Sequence, residues 1–178
     1  MYPYARLAKE IVKFRNAPAL GIFDTHVSTH RIWPWDIDPW MELNNGRTLT
    51  LFDLGRVPLA IRTGLVRVVR EQGWGMAVAG NTTRYRKRVT TFQRVTMHSR
   101  CVGWDARFMY LEQSMWRGDD CTGQMLARSA FTSKAGMVPP ARVLEAMGQP
   151  VESPPLPQWV AAWIAADATR PWPPERHG

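Results

Sequence analysis

The sequence predicts an α+β domain in which one long helix packs against a mostly antiparallel sheet. Residues 46–62 form a helical segment with apolar side chains on nearly every face, which is typical of a buried helix. Residues 95–102 alternate between apolar and polar side chains, the period of a half-buried strand. Residues 106–116 and 122–133 predict two further strands, and the short polar turn between them favours antiparallel pairing.

Three more elements precede or follow the buried helix. Residues 4–15 carry apolar side chains at helical spacing with basic residues between them, which predicts a short amphipathic helix. Residues 22–33 are rich in β-branched and aromatic side chains and predict the first strand. Residues 75–89 predict another strand, with a bend at Asn81.

Prolines and glycines divide the chain further. Pro58 is expected to kink the buried helix and Gly64 to end it. Residues 139–147 start with proline and stop before a glycine, so they predict a short helix, and residues 158–168 predict a last helix after a proline-rich linker. We therefore expect three parts: an N-terminal amphipathic helix (1–20), a central domain (21–148), and a linker, short helix and tail (149–178).

The charge of the chain limits its partners without selecting one. The 178 residues carry a net charge of +8 and the pI is about 10.2. Such a surface suits nucleic acid, an anionic membrane or a polyanionic small molecule such as coenzyme A, or it serves solubility alone. Among Arg84, Arg86 and Arg88 only Tyr85 could stack on a base, so we expect no nucleic acid partner.

Composition also predicts a cytoplasmic protein. No apolar run approaches the length of a bilayer span, and charges interrupt the first 18 residues, so neither a transmembrane helix nor a signal peptide is expected. Cys101 and Cys121 fit two thiols in a reducing compartment. A membrane-surface contact through residues 4–15 stays an alternative to packing of that helix on its own domain.

The residues before the buried helix form the main candidate site. Asp36 and Asp38 place carboxylates next to the positive N-terminal end of the helix. Asn44, Asn45 and Gly46 open the helix, where free backbone N–H groups could hold an oxyanion. A purely structural interpretation, with an Asx-turn aspartate and an asparagine N-cap, fits the same spacing.

Other chemistries find less support. Arg84, Arg86 and Arg88 alternate along a strand end and so share one face, where they could bind phosphates or simply face solvent. No G-x-S-x-G elbow occurs, which disfavours a serine hydrolase. His26 and His30 lack metal-type clustering with other ligands, so neither a metal nor another cofactor is expected.

Residues 27–56, VSTHRIWPWDIDPWMELNNGRTLTLFDLGR, resemble the opening of the 4-hydroxybenzoyl-CoA thioesterase-like hotdog family, in particular its THEM6-like bacterial branch. The family pattern is a strand, Asp-x-Asp, His-Met-Asn-Asn, and a helix with Asp and Arg. The matching residues here are Asp36, Asp38, Asn44, Asn45, Asp53 and Arg56. The likeness covers roughly residues 1–148.

The resemblance implies a curved antiparallel sheet wrapped around a long central helix, and a homodimer, or a tetramer, with active sites between protomers. It implies that Asp38 is catalytic and that the substrate is an acyl-CoA or acyl-carrier thioester. Trp40 and the central helix would shape the acyl pocket. The chain departs from the family where Glu42 replaces the usual histidine and Thr48 a common tyrosine.

Two hypotheses follow from these residues. In the first, the protein hydrolyses acyl thioesters, and Asp38 attacks the carbonyl or activates a water; the sequence does not choose between these routes. In the second, the protein binds acyl thioesters or fatty acyl chains without hydrolysis, because hotdog proteins include non-hydrolytic members. Glu42 at the family's histidine position favours the second.

Overall fold

The computed structural model describes residues 2–176. It contains five α-helices and six strands in this part of the chain. The helices are α1 (Tyr4–Phe14), α2 (Asn45–Arg62), α3 (Leu65–Glu71), α4 (Pro140–Ala146) and α5 (Gln158–Ala168). The strands are β1 (His26–Arg31), β2 (Gly75–Tyr85), β3 (Arg94–Trp104), β4 (Met109–Arg117), β5 (Asp120–Ser133) and β6 (Gly136–Val138).

The strands form one curved antiparallel sheet in the order β1-β3-β4-β5-β2, with β6 added beside β5. Helix α2 lies against this sheet and buries Leu51, Phe52 and Leu54 completely. The approach to β3 is so close that a Cβ on Gly55 would lie 2.5 Å from the Ser99 hydroxyl oxygen, which only glycine avoids. The predicted α+β architecture is confirmed, and it is the hotdog fold.

Helix α2 keeps its predicted length. It runs unbroken through Pro58, which is buried among core side chains. Packing of the helix outweighs the one backbone hydrogen bond that proline removes. Gly64, at a φ of 79°, separates α2 from α3 as expected, because this left-handed conformation suits glycine.

The strand predicted over residues 75–89 is too long. Strand β2 ends at Tyr85, and its irregularity lies between Val78 and Gly80 rather than at Asn81. Strand β1 is likewise shorter than residues 22–33. The three residues of β6 were not predicted, since so short a segment has no detectable period. The end of the predicted tail, residues 177–178, lies outside the described residues.

Helix α1 packs on its own domain. The ring of Phe14 contacts His26 edge-on at 4.5 Å between centroids, and Leu7 packs against the main core. Arg6 reaches Asp36 at 2.7 Å and so ties α1 to the loop before α2. The apolar face of α1 is therefore used inside the protein, although residues such as Val12 remain exposed.

Helix α5 covers part of the sheet through a second, smaller core. Val160 of this helix is buried with Val102, Tyr110 and Leu126. An ion pair of 2.6 Å between Arg128 and Asp167 joins α5 to β5. The C-terminal segment is thus an ordered part of the domain surface.

Candidate functional site

The loop between β1 and α2 folds into a tight turn held by backbone hydrogen bonds. The amide of Asp38 donates to the carbonyl of Glu42 at 2.9 Å, and Ile37 and Leu43 form an isolated antiparallel bridge. The amide of Leu43 donates to the carbonyl of Val89 at 2.8 Å. These bonds fix residues 38–42 at the start of α2, beside the segment that follows β2.

Asp36 anchors this loop. Its side chain is completely buried, and its two oxygens accept hydrogen bonds from Arg6 at 2.7 Å, from Arg47 at 2.7 and 3.1 Å and from the Trp33 amide at 3.1 Å. A carboxylate with every lone-pair direction occupied and no solvent contact has no room for a substrate. The first Asp of the pair is therefore structural.

Asp38 is half-buried and only partly occupied. Its Oδ1 accepts from the amide of Trp40 at 2.9 Å and more weakly from that of Glu42 at 3.4 Å. This is the Asx-turn arrangement that the spacing also allowed. Within residues 2–176, Oδ2 accepts no hydrogen bond, so one oxygen of the carboxylate remains available to a ligand.

The N-terminus of α2 leaves two backbone amides without an acceptor. Asn44 is the N-cap, and its side-chain oxygen accepts the amide of Arg47 at 3.0 Å. The amide of Thr48 makes the first helical bond, to the Asn44 carbonyl. In the described chain the amides of Asn45 and Gly46 have no hydrogen-bond partner, as expected for the first turn of a helix. They are available to an anion or an oxyanion.

A cavity of about 240 Å³ opens at this helix end. Its lining contains both an acidic and a basic side chain, Glu42 and Arg88, which form an ion pair of 2.9 Å. The hydroxyl of Tyr85 donates to the carbonyl of Asn45 at 3.3 Å and links β2 to the start of α2. Thr48, at the family's tyrosine position, is buried on the cavity wall.

Not every predicted site residue reaches this cavity. Asn45 and Glu42 line it, whereas Asp38, Trp40, Asn44 and Gly46 are not part of its lining. The side chain of Trp40 is 72% exposed, so it shapes no acyl pocket within this chain. The carboxylate that lies on the cavity wall is that of Glu42.

The three arginines do not share a face as predicted. Because β2 ends at Tyr85, the strand alternation stops before Arg86 and Arg88, which lie in a loop at the cavity. Arg84 lines a separate groove beside Trp159 and helix α5. The prediction failed because it extended the strand by four residues.

A second cavity, of about 200 Å³, lies between the C-terminal half of α2 and the start of β2. Most of its lining is aliphatic, including Val57, Leu59, Ala60, Met76 and Val78. Its polar side is a hydrogen-bonded chain in which Tyr2 donates to Asp53 at 2.9 Å and Arg56 binds Asp53 and Gln113. Burial and the bond to Asp53 raise the pKa of Tyr2 to about 12, so its hydroxyl remains a donor.

Sequence reasoning missed several residues that build these sites. Arg6 and Arg47 hold Asp36, but paired charges far apart in sequence leave no local pattern. Tyr85 could have been found, because strand alternation places it on the opposite face from Arg84.

Comparison with known proteins decides the family. The model of the thioesterase-like superfamily matches residues 32–164, which include the β1–α2 loop, α2 and most of the sheet. The chain belongs to this superfamily. Thioester hydrolase is the activity class that this membership supports.

Relatives and solved structures agree with this assignment. Protein THEM6 of Xenopus laevis is 27% identical over 165 residues, which cover 90% of this chain and 78% of that protein. The probable thioesterase YbaW of Escherichia coli has a TM-score of 0.61 at 14% identity and covers 71% of this chain and 99% of its own. A 1,4-dihydroxy-2-naphthoyl-CoA thioesterase from Synechocystis has a TM-score of 0.59 at 6% identity, and the match covers 70% of this chain and 95% of that protein. At these identities the solved structures show the fold alone.

Residues 2–176 offer neither a membrane-spanning helix nor a metal-binding cluster. None of the helices there is both long and apolar enough to cross a membrane. No group of three or more histidine, cysteine or carboxylate side chains is placed to hold a metal ion in this part of the chain.

Proposed function

We propose that the protein hydrolyses acyl-CoA thioesters at the N-terminus of α2. One observation carries the proposal: the two acceptor-free amides of Asn45 and Gly46 lie at the end of a buried helix that opens on a cavity, next to the loop that carries Asp38 and Glu42. This arrangement matches what thioester hydrolysis requires, namely donors for the oxygen that becomes negative and a carboxylate nearby.

In this proposal the thioester carbonyl oxygen accepts from the amides of Asn45 and Gly46. The helix N-terminus favours the negative charge that forms on this oxygen in the tetrahedral intermediate. Asp38 uses its free Oδ2 either to attack the carbonyl carbon or to take a proton from an attacking water. If a water attacks, Asp38 holds its proton while the intermediate collapses, the C–S bond breaks, and the proton passes to the thiolate, so that the thiol and the carboxylic acid leave. If Asp38 attacks, the same bond breaks and leaves a mixed anhydride on Asp38, and a water then hydrolyses this anhydride to the carboxylic acid and the free Asp38 carboxylate, with the released proton passing to the thiolate.

We propose further that the active form is a homodimer joined through β2. Strand β2 is an edge of the sheet, it is 11 residues long, and most of its residues are exposed. Residues 75–83 carry no charge, although exposed edges are usually protected by charges, prolines or short strands. A second copy of β2 would cover this edge.

A dimer of this kind would also complete the acyl site. One end of β2, at Tyr85, lies beside the start of α2, and the other end, at Met76, lies at the apolar cavity. In an antiparallel β2–β2 pair, the Tyr85 end of one copy lies beside the Met76 end of the other. The apolar cavity of one protomer would then receive the acyl chain from the α2 N-terminus of its partner. In this proposal Arg86 and Arg88, which line the cavity at the start of α2, bind the phosphates of the carrier.

One observation favours a second candidate function, acyl-thioester binding without hydrolysis. The Glu42 carboxylate occupies the family's histidine position and pairs with Arg88 at 2.9 Å. In addition, one oxygen of Asp38 is used in the turn. Such a protein would bind acyl-CoA tightly and release no thiol.

The test is hydrolysis of a panel of acyl-CoAs with detection of free thiol, using the parent, Asp38→Asn and Glu42→Gln. Asp119→Asn, which changes an exposed carboxylate in the β4–β5 turn, is the control. We expect Asp38→Asn to lose at least 100-fold in kcat, by the usual contribution of a general base of about 10² to 10⁴. Equal activity of Asp38→Asn and the parent contradicts the role of Asp38. Tight binding by calorimetry without turnover supports the second function instead.

A further inference from the structure

Three aromatic side chains, two of them exposed and Trp33 half-buried, form a cluster at one corner of the molecule. The rings of Trp33 and Trp35 stack at 5.4 Å between centroids, and Phe92 meets Trp33 edge-on at 6.0 Å. Trp35 is 66% exposed and Phe92 54%. We call Trp33, Trp35 and Phe92 the aromatic corner. Contiguous exposed apolar groups of this kind are typical of contact surfaces.

The backbone is strained so that apolar side chains face solvent here. Among residues 2–176, Met41 and Phe92 are the two residues other than glycine with positive φ, at 61° and 65°. Both are exposed, so burial within the protein does not compensate this unfavourable conformation. Residues in such conformations cluster at functional sites.

The loops that carry these side chains are joined to each other. The amide of Phe92 donates to the carbonyl of Ile32 at 2.7 Å, next to Trp33. The loop of Met41 is attached to the same segment, since the amide of Leu43 donates to the carbonyl of Val89. The aromatic corner is therefore held in place rather than loosely displayed.

A basic groove of about 510 Å³ adjoins this corner, and Trp33 lines it. Arg31 and Arg94 are paired residues of β1 and β3, so two like charges lie directly opposite each other. Such a pair is unfavourable without an anion between or above it. The guanidinium of Arg31 lies 6.0 Å from the Trp33 ring, and Lys9 lines the groove from α1.

The anionic side chains near the groove do not neutralise these arginines. Neither Arg31 nor Arg94 forms an ion pair within residues 2–176. Asp36 is taken by Arg6 and Arg47. Glu10 lines the groove but is almost completely buried, and burial raises its pKa.

We propose that the aromatic corner and the basic groove together dock the protein on an anionic membrane surface. Tryptophan and phenylalanine side chains suit the boundary between headgroups and acyl chains, and arginine and lysine suit lipid phosphates. A second copy of this chain is a poorer occupant, because it brings another +8 of charge to a basic surface. The contact differs from an anchor made by the apolar face of α1, which packs inside the domain. It does not depend on the proposed hydrolysis.

The test is co-sedimentation of the full chain with vesicles of phosphatidylcholine alone and of phosphatidylcholine with phosphatidylglycerol. We expect binding to the anionic vesicles only, and a loss of binding as salt is raised. Inorganic phosphate at millimolar concentration should not release the protein, because it offers no apolar surface. Release by phosphate alone would show a site for a free anion and would overturn the membrane proposal.

Variants separate the two parts of the surface. Arg31→Ala with Arg94→Ala should weaken binding about 30-fold, since each basic side chain near an anionic surface contributes about fivefold. Its control is Arg67→Ala with Arg70→Ala, which removes the same charge from the exposed side of α3.

Trp35→Ala should weaken vesicle binding about tenfold through lost apolar contact. Its control is Trp172→Ala, which removes a tryptophan that is 89% exposed in the C-terminal tail. Equal binding by each variant and its control would overturn the proposal. A change of oligomeric state in Trp35→Ala, measured by light scattering, would assign the corner to a subunit contact and overturn it as well.

Discussion

The guanidinium of Arg47 donates two hydrogen bonds to the carboxylate of Asp36, at 3.1 and 2.7 Å, from the first turn of α2 back to the loop that precedes it. Arg6 of α1 binds the same carboxylate at 2.7 Å. Asp36 thus joins three segments, while Asp38, two residues later, keeps one oxygen free. The spacing of the two aspartates makes them look equivalent, but in their surroundings only Asp38 has an oxygen available for the proposed chemistry.

Asp36→Asn should lower the free energy of unfolding by about 3 kcal/mol, because removing one partner of a buried ion pair leaves the other charges uncompensated. The measurement is urea denaturation of Asp36→Asn beside Asp119→Asn, whose carboxylate is exposed. A loss below about 0.5 kcal/mol, the range of ordinary surface substitutions, would contradict the anchoring role.

Asn45→Pro tests the amide at the start of α2 without removing the helix. Proline is favourable at the first helical position, and Asn44 before it has extended backbone angles, which proline requires. The variant loses the amide hydrogen, so we expect kcat to fall about 100- to 1,000-fold while stability is kept. Asn45→Ala, which loses only the side chain, is the control. Equal rates for the two variants would show that this amide does not bind the oxyanion.

Val78→Lys tests the proposed dimer. Val78 is 45% exposed on the edge strand β2, and Val27 is 46% exposed on the opposite edge strand β1. Lysine at position 78 would place like charges against each other in a β2–β2 pair, so we expect light scattering to show dissociation. Val27→Lys should leave the dimer intact. Dissociation by Val27→Lys alone would place the interface on β1.

Stability should fall below neutral pH because two histidines are buried uncharged. Burial and the charge of Arg62 lower the pKa of His26 to about 4, and burial with the charge of Arg6 lowers that of His30 to about 3. Both values lie below the pKa of about 6.5 that histidine has in the unfolded chain. Unfolding therefore takes up protons at pH values between the folded and the unfolded pKa. The contribution of the two histidines to the free energy of unfolding is complete above pH 6.5. By pH 5 each histidine has lowered this free energy by about 2 kcal/mol.

The measurement is the urea midpoint between pH 8 and pH 5 for the parent, His30→Gln and His98→Gln. His30→Gln should flatten the dependence, whereas His98→Gln, which changes an exposed histidine, should not. Burial raises the pKa of Glu10. Protonation of this carboxyl therefore stabilises the folded state as the pH falls through the raised value, which opposes the effect of the histidines. A parent whose midpoint is unchanged from pH 8 to 5 would contradict the prediction.

The elements that the sequence predicted best are those with a long uninterrupted period. Helix α2 has apolar residues on nearly all faces, and Asn44 is its N-cap as its residue type indicates. The end of β2 was misplaced because arginines continue the polar alternation beyond Tyr85. Local pattern cannot show where a strand stops pairing with its neighbour: β2 pairs with β5 only as far as Gly123, although β5 itself begins at Asp120.

The features of the candidate site also fall into those that the local sequence indicates and those that only the tertiary structure decides. The sequence alone determined the α+β class and the family, and it led to the proposed site at the start of α2, because these rest on periodicity and on motifs a few residues long. Only the tertiary structure decided that Asp36 is an anchor, that Glu42 lines the cavity with Arg88, and that Arg84 points to a different groove. These outcomes depend on which side chains meet across distant parts of the chain. Burial and hydrogen bonding there assign each carboxylate and arginine its role, and residue type alone does not.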